Sequence, residues 1–223
     1  AVVREIIASN ILPAGALQGV GGGAGDLLDH VNSQDVITFT GSAITGQKLK
    51  ANPRVLAENT PFNMEADSLN CIVLGDDVKE DMPEWNIFIR EVRKEMTIKA
   101  GQKCTAIRRI FVPEGRLEDV CLALGKTLGQ TSIGNPHNEK VRMGALAGLT
   151  QREEVISQVQ KLLASSQIVY GSLDSVELID ADAQKGAFMS PILLLNQKPF
   201  ESEAVHEVEA FGPVTTILLY RHL

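Results

Sequence analysis

The sequence predicts an α/β fold in which strands and helices alternate around a parallel sheet. Three observations point there. Apolar residues recur at helical spacing in several stretches, and between those stretches lie short continuous apolar runs of the kind that form buried strands. The chain of 223 residues is 44% hydrophobic, enough to bury a sizeable core. It contains no internal repeat, low-complexity tract or Ser/Pro-rich linker.

In chain order, Val2, Val3, Ile6 and Ile7 form the first helical stripe, and Asp26 to Val31 reads as a second helix. The run Val36 to Thr40 predicts a buried strand that hands over at Gly41-Ser42 to a helix from Ala43 to Lys50. Asn70 to Leu74 predicts another buried strand, with Cys71 inside it. Pro83 suits the first turn of a helix whose Trp85, Phe88, Ile89, Val92 and Met96 share one face, with Gly101 as its stop. Arg108 to Val112 reads as a strand, and Leu117, Val120, Cys121, Leu124 and Leu128 as the face of the next helix. Thr150-Gln151-Arg152-Glu153 resembles a capping box for the helix carrying Val155, Val159, Leu162 and Leu163. Further strands are expected at 167–170 and 188–195.

A formal net charge of −7 without a Lys/Arg block argues against a nucleic-acid surface and leaves a small molecule as the expected partner. No apolar run approaches a membrane span and the N-terminus carries no signal-peptide pattern, so the expected compartment is the cytoplasm. The three cysteines, Cys71, Cys104 and Cys121, fit neither a disulfide framework nor a zinc knuckle, and His206, in HEVEA, lacks the second histidine of HExxH. His30, His137 and His222 stand isolated, and no metal is expected.

Four places could carry chemistry. The glycine cluster 19–25 contains a GxGxxA spacing, but it lacks the Gly-Lys-Ser/Thr of a P-loop and also suits a plain strand-to-helix turn. Phe39-Thr40-Gly41-Ser42 places a helix N-terminus after a strand, favourable to an anion, although Ser42 reads equally well as an ordinary N-cap. Cys104, preceded by Lys103 in a polar loop, differs from Cys71 and Cys121, which read as core residues, because nearby positive charge favours the nucleophilic thiolate. Nothing in the local sequence nominates a histidine partner for that thiol. Glu58 and Glu65 each follow a short apolar run whose strand end could present a carboxylate to activate water.

Taken together, FTGS at 39–42, NMEADSLN at 63–70, AGQKCTAIRR at 100–109, SPILL at 190–194 and EAFGPV at 209–214 resemble the NAD(P)-dependent aldehyde dehydrogenase superfamily. The wording MEADSLN with AGQKCTAIRR is most similar to the aldehyde dehydrogenase part of bifunctional ring-opening proteins of phenylacetate degradation and to their relatives in benzoyl-CoA breakdown. The resemblance implies part of a Rossmann-like cofactor domain over residues 1–65 and part of an α/β catalytic domain over 66–223. It makes Cys104 the nucleophile and Glu65 the general base, with Glu58 an ordinary neighbour. Gly41 and Ser42 match the cofactor-pyrophosphate turn, and Glu209 and Phe211 the residues that hold the nicotinamide ribose and ring.

The implied cofactor is NADP+, with NAD+ as the alternative, and the implied substrate a CoA-linked semialdehyde oxidised through a thiohemiacetal and a thioester. Glu65 favours hydrolysis over transfer to coenzyme A. The family's oxyanion asparagine, ribose-contacting lysine and oligomerising segment match nothing in this sequence, so the chain alone is expected to turn over little, and the whole protein to be a homo-oligomer. One departure stands out: the family's Glu-Leu-Gly-Gly is here Glu65-Ala66-Asp67-Ser68, and the separation from Glu65 to Cys104 is longer than usual. A noncatalytic nucleotide-binding or assembly module of the same fold, and a dehydrogenase of simple aldehydes, are the alternatives.

Overall fold

A computed structural model describes residues 2–221; His222 lies outside the described residues. The chain divides into two compact units, Ala1–Ala66 and Asp67–Leu223.

In the first unit, helix α1 (Val2–Ala8) forms where the apolar stripe predicts it but buries no residue. The helix expected from Asp26 to Val31 is only a 3-10 turn at Leu27–His30, because Asp26 makes no side-chain cap and the segment is too short to propagate α-helical bonds. Strand β1 (Ile37–Gly41) pairs in parallel with β2 (Phe62–Ala66), in a register that sets Thr40 opposite Glu65 and Gly41 opposite Ala66. Between them lie α2 (Ala43–Lys50) and the short α3 (Pro53–Ala57). The sequence pattern does not reveal α3, which is nucleated by Pro53 at its first position and by the Asn52 side chain, which accepts from the Arg54 N–H at 2.8 Å.

Contrary to expectation, β1 is not a buried strand. Its sheet has two strands, and α2 covers one face, half-burying Ile37 and Phe39 while Thr38 and Thr40 face solvent. Gly46 permits that packing: a Cβ there would sit 2.3 Å from Met64 Sδ and 3.0 Å from the Phe39 ring.

The second unit is a five-stranded sheet. Strands β3 (Asn70–Val73), β4 (Ile107–Pro113), β5 (Gln167–Tyr170), β6 (Ile192–Asn196) and β7 (Val214–Tyr220) stand in the order β3-β4-β7-β6-β5, all parallel except β5 against β6. Helices α4 (Pro83–Thr97) and α5 (Leu117–Gly129) bury their stripes against Ile110, Val112, Leu193, Leu195 and Ile217. Helix α6 (Leu149–Leu162) buries Val155, Val159 and Leu162 against Ile192, Leu194 and Leu218. Every residue of β6 and β7 is buried, because alternate side chains enter the two cores. That is the physical meaning of the continuous apolar run Ile192 to Leu195 in β6.

Four local expectations fail here. Cys71 is exposed rather than core, since β3 is an edge strand and Ile72, not Cys71, faces the α4–α5 core. The capping box at Thr150 does not form: α6 starts at Leu149 with Gly148 as N-cap and no side-chain cap bond. Strand β6 begins only at Ile192, after Pro191, which has no N–H to give a ladder. The helix that Gly101 was expected to stop ends earlier, at Thr97, and passes through a 3-10 turn at Ile98–Gly101.

Candidate active site

Because β3, β4, β7 and β6 run parallel, the residues that precede them gather at one edge of the sheet. Those residues are Ser68–Leu69, the 102–106 loop, Glu209–Pro213 and Ser190–Pro191. Four of the sequence motifs are therefore connections into the N-terminal ends of neighbouring strands. Topology alone brings together segments more than a hundred residues apart.

The thiol loop is shaped by an unusual backbone run. Lys99, Ala100 and Gly101 all have positive φ, at 53°, 52° and 70°. At Gly101 only a glycine fits, since a Cβ would lie 2.2 Å from the Gly212 carbonyl oxygen. Cys104 then sits exposed in a turn closed by the Ala106 N–H donating to the Lys103 carbonyl at 3.1 Å. Its carbonyl accepts from Asn70 Nδ2 at 2.6 Å, and the same amide donates to Ser68 Oγ at 2.8 Å.

The charge expected beside the thiol is spent elsewhere. Lys103 Nζ is 2.8 Å from both carboxylate oxygens of Glu95, and both side chains are largely buried. Lys103 thus anchors the loop to α4. Cys121 is half-buried on α5, and burial pushes its thiol up, as suits a core residue.

Arg108 and Asn70 are the site residues that motif reading missed. Arg108 is 4% exposed; its Nη1 donates to the Gly212 carbonyl at 2.7 Å and its Nη2 to the Gly101 carbonyl at 2.8 Å. Its Nε faces Glu209 Oε1 at 3.4 Å, and its Cζ lies 5.3 Å from the centre of the Phe211 ring. The other oxygen of Glu209 accepts from the Ser68 N–H at 3.2 Å. Gln151 Nε2 donates to the Phe211 carbonyl at 3.4 Å. The available signal was the pair Arg108-Arg109 at the head of an apolar strand, where a cation must find a buried partner. Arg109 grips the Leu69 carbonyl and His206 Nδ1, and His206 Nε2 meets the Pro199 carbonyl, which gives this histidine a structural role.

Burial pushes the Glu209 carboxyl up from the usual range, opposed by Arg108 and the Ser68 N–H; burial pushes Arg108 down, opposed by Glu209. A carboxyl raised in the folded state binds more proton there than in the unfolded chain, so its contribution is fully present below the unfolded value and declines as pH rises through the folded value. The stability of the wild type relative to Glu209→Gln is therefore expected to fall as pH rises above about 4.3, then level off once the folded carboxyl is ionised. Urea unfolding of both proteins across the acid-to-neutral range checks this.

The first unit holds the remaining candidates. Glu65 is exposed near the end of β2, and the register places it beside Thr40, next to Gly41. Ser42 is the N-cap of α2: its Oγ accepts from the Thr45 N–H at 3.3 Å, the ordinary capping role. Gly41 lies under the Phe39 ring, where a Cβ would come within 2.6 Å of the ring edge. Glu58, also considered as a base, is not at a strand end; it caps α3 and pairs with Arg54 at 2.9 Å. Asp67, where the family pattern has glycine, takes the left-handed conformation at φ 51°. The glycine cluster 19–25 follows no strand and leads only into the 3-10 turn, so it is neither a dinucleotide fingerprint nor a strand-to-helix turn. No helix among the described residues is long and apolar enough to cross a membrane, and none of their His, Cys, Asp and Glu side chains group in threes that could hold a metal.

Comparison with known proteins gives the family and the fold. The model of the aldehyde dehydrogenase family matches residues 1–223. The chain is similar to 3,4-dehydroadipyl-CoA semialdehyde dehydrogenase of Aromatoleum evansii, 42% identical over 219 residues that cover 98% of this chain and 42% of the relative. Its fold is similar to that of succinic semialdehyde dehydrogenase from Streptococcus pyogenes, solved with NADP+, at a TM-score of 0.79 and 17% identity over 99% of this chain and 46% of that one. A third likeness is to aldehyde dehydrogenase 21 from Physcomitrella patens, solved with the product succinate, at a TM-score of 0.63 and 25% identity over 83% of this chain and 35% of that one. The chain spans less than half the length of each of these relatives. A family match that runs the length of the chain, joined to a parallel sheet that gathers the thiol loop and the EAFGPV segment at one edge, leaves one conclusion: this chain belongs to the aldehyde dehydrogenase family.

Proposed function

We propose that the protein containing this chain oxidises an aldehyde to a carboxylic acid, and that the aldehyde is a CoA-linked semialdehyde of the kind formed when an aromatic ring is opened. The observation that carries the substrate class is the 42% identity to a CoA-semialdehyde dehydrogenase. In this reading residues 1–65 are the C-terminal part of the cofactor domain and 66–223 part of the catalytic domain, and the whole protein is a cytoplasmic homo-oligomer.

Cys104 Sγ attacks the carbonyl carbon, and its own backbone N–H is the donor assigned to the resulting oxyanion. An exposed thiol on a loop fixed at its carbonyl by Asn70 and at its base by Arg108 suits that task, because a positioned nucleophile avoids much of the entropic cost of encounter. Glu65 takes a proton from the water that hydrolyses the Cys104 thioester. A nicotinamide cofactor, NADP+ in preference to NAD+, supplies the hydride acceptor. Each unit by itself offers residues suited to part of such a group: in the second, Glu209 has a carboxylate held from two sides for ribose hydroxyls and Phe211 an aromatic face; in the first, Gly41-Ser42 open a helix N-terminus suited to diphosphate.

Kinetics of the full-length protein test this proposal. With NADP+, kcat/KM for a CoA-linked semialdehyde is expected to exceed that for the free semialdehyde of the same chain by about 100-fold or more, since binding energy from the CoA moiety is available to the transition state. Equal values for the two would assign the protein to simple aldehydes.

A further inference from the structure

The Arg108 guanidinium is the point where the thiol loop and the Glu209–Gly212 segment are joined. Two of its nitrogens take one carbonyl from each segment, Gly101 and Gly212, and the third faces Glu209. The two backbones are already in van der Waals contact at Gly101. Both oxygens of Glu209 are engaged from the protein side, one by Arg108 and one by the Ser68 N–H, so the direction of the carboxylate is set before any ligand arrives. Arginine serves these three acceptors from three separate nitrogens of one planar fork, whereas all the donors of lysine radiate from a single nitrogen.

We propose that Arg108 is a positioning residue for the cofactor: it aims Glu209 and Phe211 and locks them in register with the thiol loop. This rests on the reading of Glu209 as the cofactor-ribose contact. Without the guanidinium, Glu209 keeps only the Ser68 N–H in a mostly buried place, and the Gly101 and Gly212 carbonyls lose the donor that ties them to each other, keeping only the local N–H groups of Lys103 and Val214. The carboxylate then turns toward solvent or takes up a proton, and in either case its grip on a ribose weakens.

The test uses the full-length protein with Arg108→Lys, Glu209→Gln and the double variant, reading the NADP+ dissociation constant and Tm. Arg108→Lys is expected to weaken NADP+ about tenfold, the equivalent of about 1.4 kcal/mol. Glu209→Gln is expected to weaken it comparably, and the double variant no further than Glu209→Gln alone, because Arg108 acts through Glu209. A purely structural arginine would lower Tm and leave NADP+ binding additive. Wild-type affinity in Arg108→Lys, with Glu209→Gln weakened, would overturn the inference alone; wild-type affinity in Glu209→Gln would overturn the reading of Glu209 and the inference with it. Should Arg108→Lys not fold, Glu209→Ala still decides, since it removes the acceptor from one arm of the guanidinium. Alkylation of Cys104 without cofactor, referred to the exposed Cys71, should then change about threefold or more, and an unchanged ratio would overturn the inference.

Discussion

Replacing Cys104 with alanine in the full-length protein is expected to lower aldehyde oxidation by on the order of 10⁴-fold, the scale on which covalent catalysis fails when its nucleophile is removed. Cys104 lies exposed in a turn, so the substitution should alter stability by no more than about 0.5 kcal/mol. The loss would then be chemical rather than structural. Cys71→Ala is the matched control: it removes another exposed thiol, on the edge strand β3, and should keep activity. Reduced cofactor measured by absorbance, with Tm recorded for both variants, checks the pair. Activity retained in Cys104→Ala, or lost equally in both, would contradict the assignment.

Glu65→Gln is expected to separate the two halves of the reaction. Thioester formation does not need the base, whereas hydrolysis does. The variant should release about one equivalent of reduced cofactor per active site in a burst, then turn over about 10² to 10⁴ times more slowly than the wild type. Stopped-flow absorbance distinguishes this from a general loss, in which burst and steady state fall together. Because Glu65 is exposed at the end of β2, its replacement by the isosteric amide should leave Tm nearly unchanged. A variant with full steady-state turnover would remove Glu65 from the mechanism.

How much of this was legible in the sequence depended on how local each signal was. The stripe from Trp85 to Met96 became α4, and the apolar runs near 192–195 became fully buried strand, because periodicity reports burial directly. Cys71 misled: an apolar neighbourhood marks a strand but does not say whether that strand is central or at an edge. Asp26 to Val31 misled for a different reason, since a stripe without a cap does not overcome the cost of nucleating a helix.

At the site, Lys103 beside Cys104 suggested a charge for the thiol, yet Glu95, eight residues earlier on α4, holds that ammonium. Of the Arg108 hub, only the need for a buried partner was legible, from a cation at the head of an apolar strand; the partners themselves were not. Its partners, Gly101, Glu209 and Gly212, meet only once parallel pairing has aligned the entrances of β4 and β7, and no spacing along the chain encodes that meeting.

The central claim is that Cys104 carries the acyl group. Its most direct measurement is peptide mapping by mass spectrometry of the full-length Glu65→Gln protein, quenched in acid after mixing with NADP+ and a CoA-linked semialdehyde. The account predicts an acyl adduct on the peptide containing Cys104 and none on those containing Cys71 or Cys121. An adduct on either of the other two cysteines, or no adduct while reduced cofactor is still produced, would contradict it.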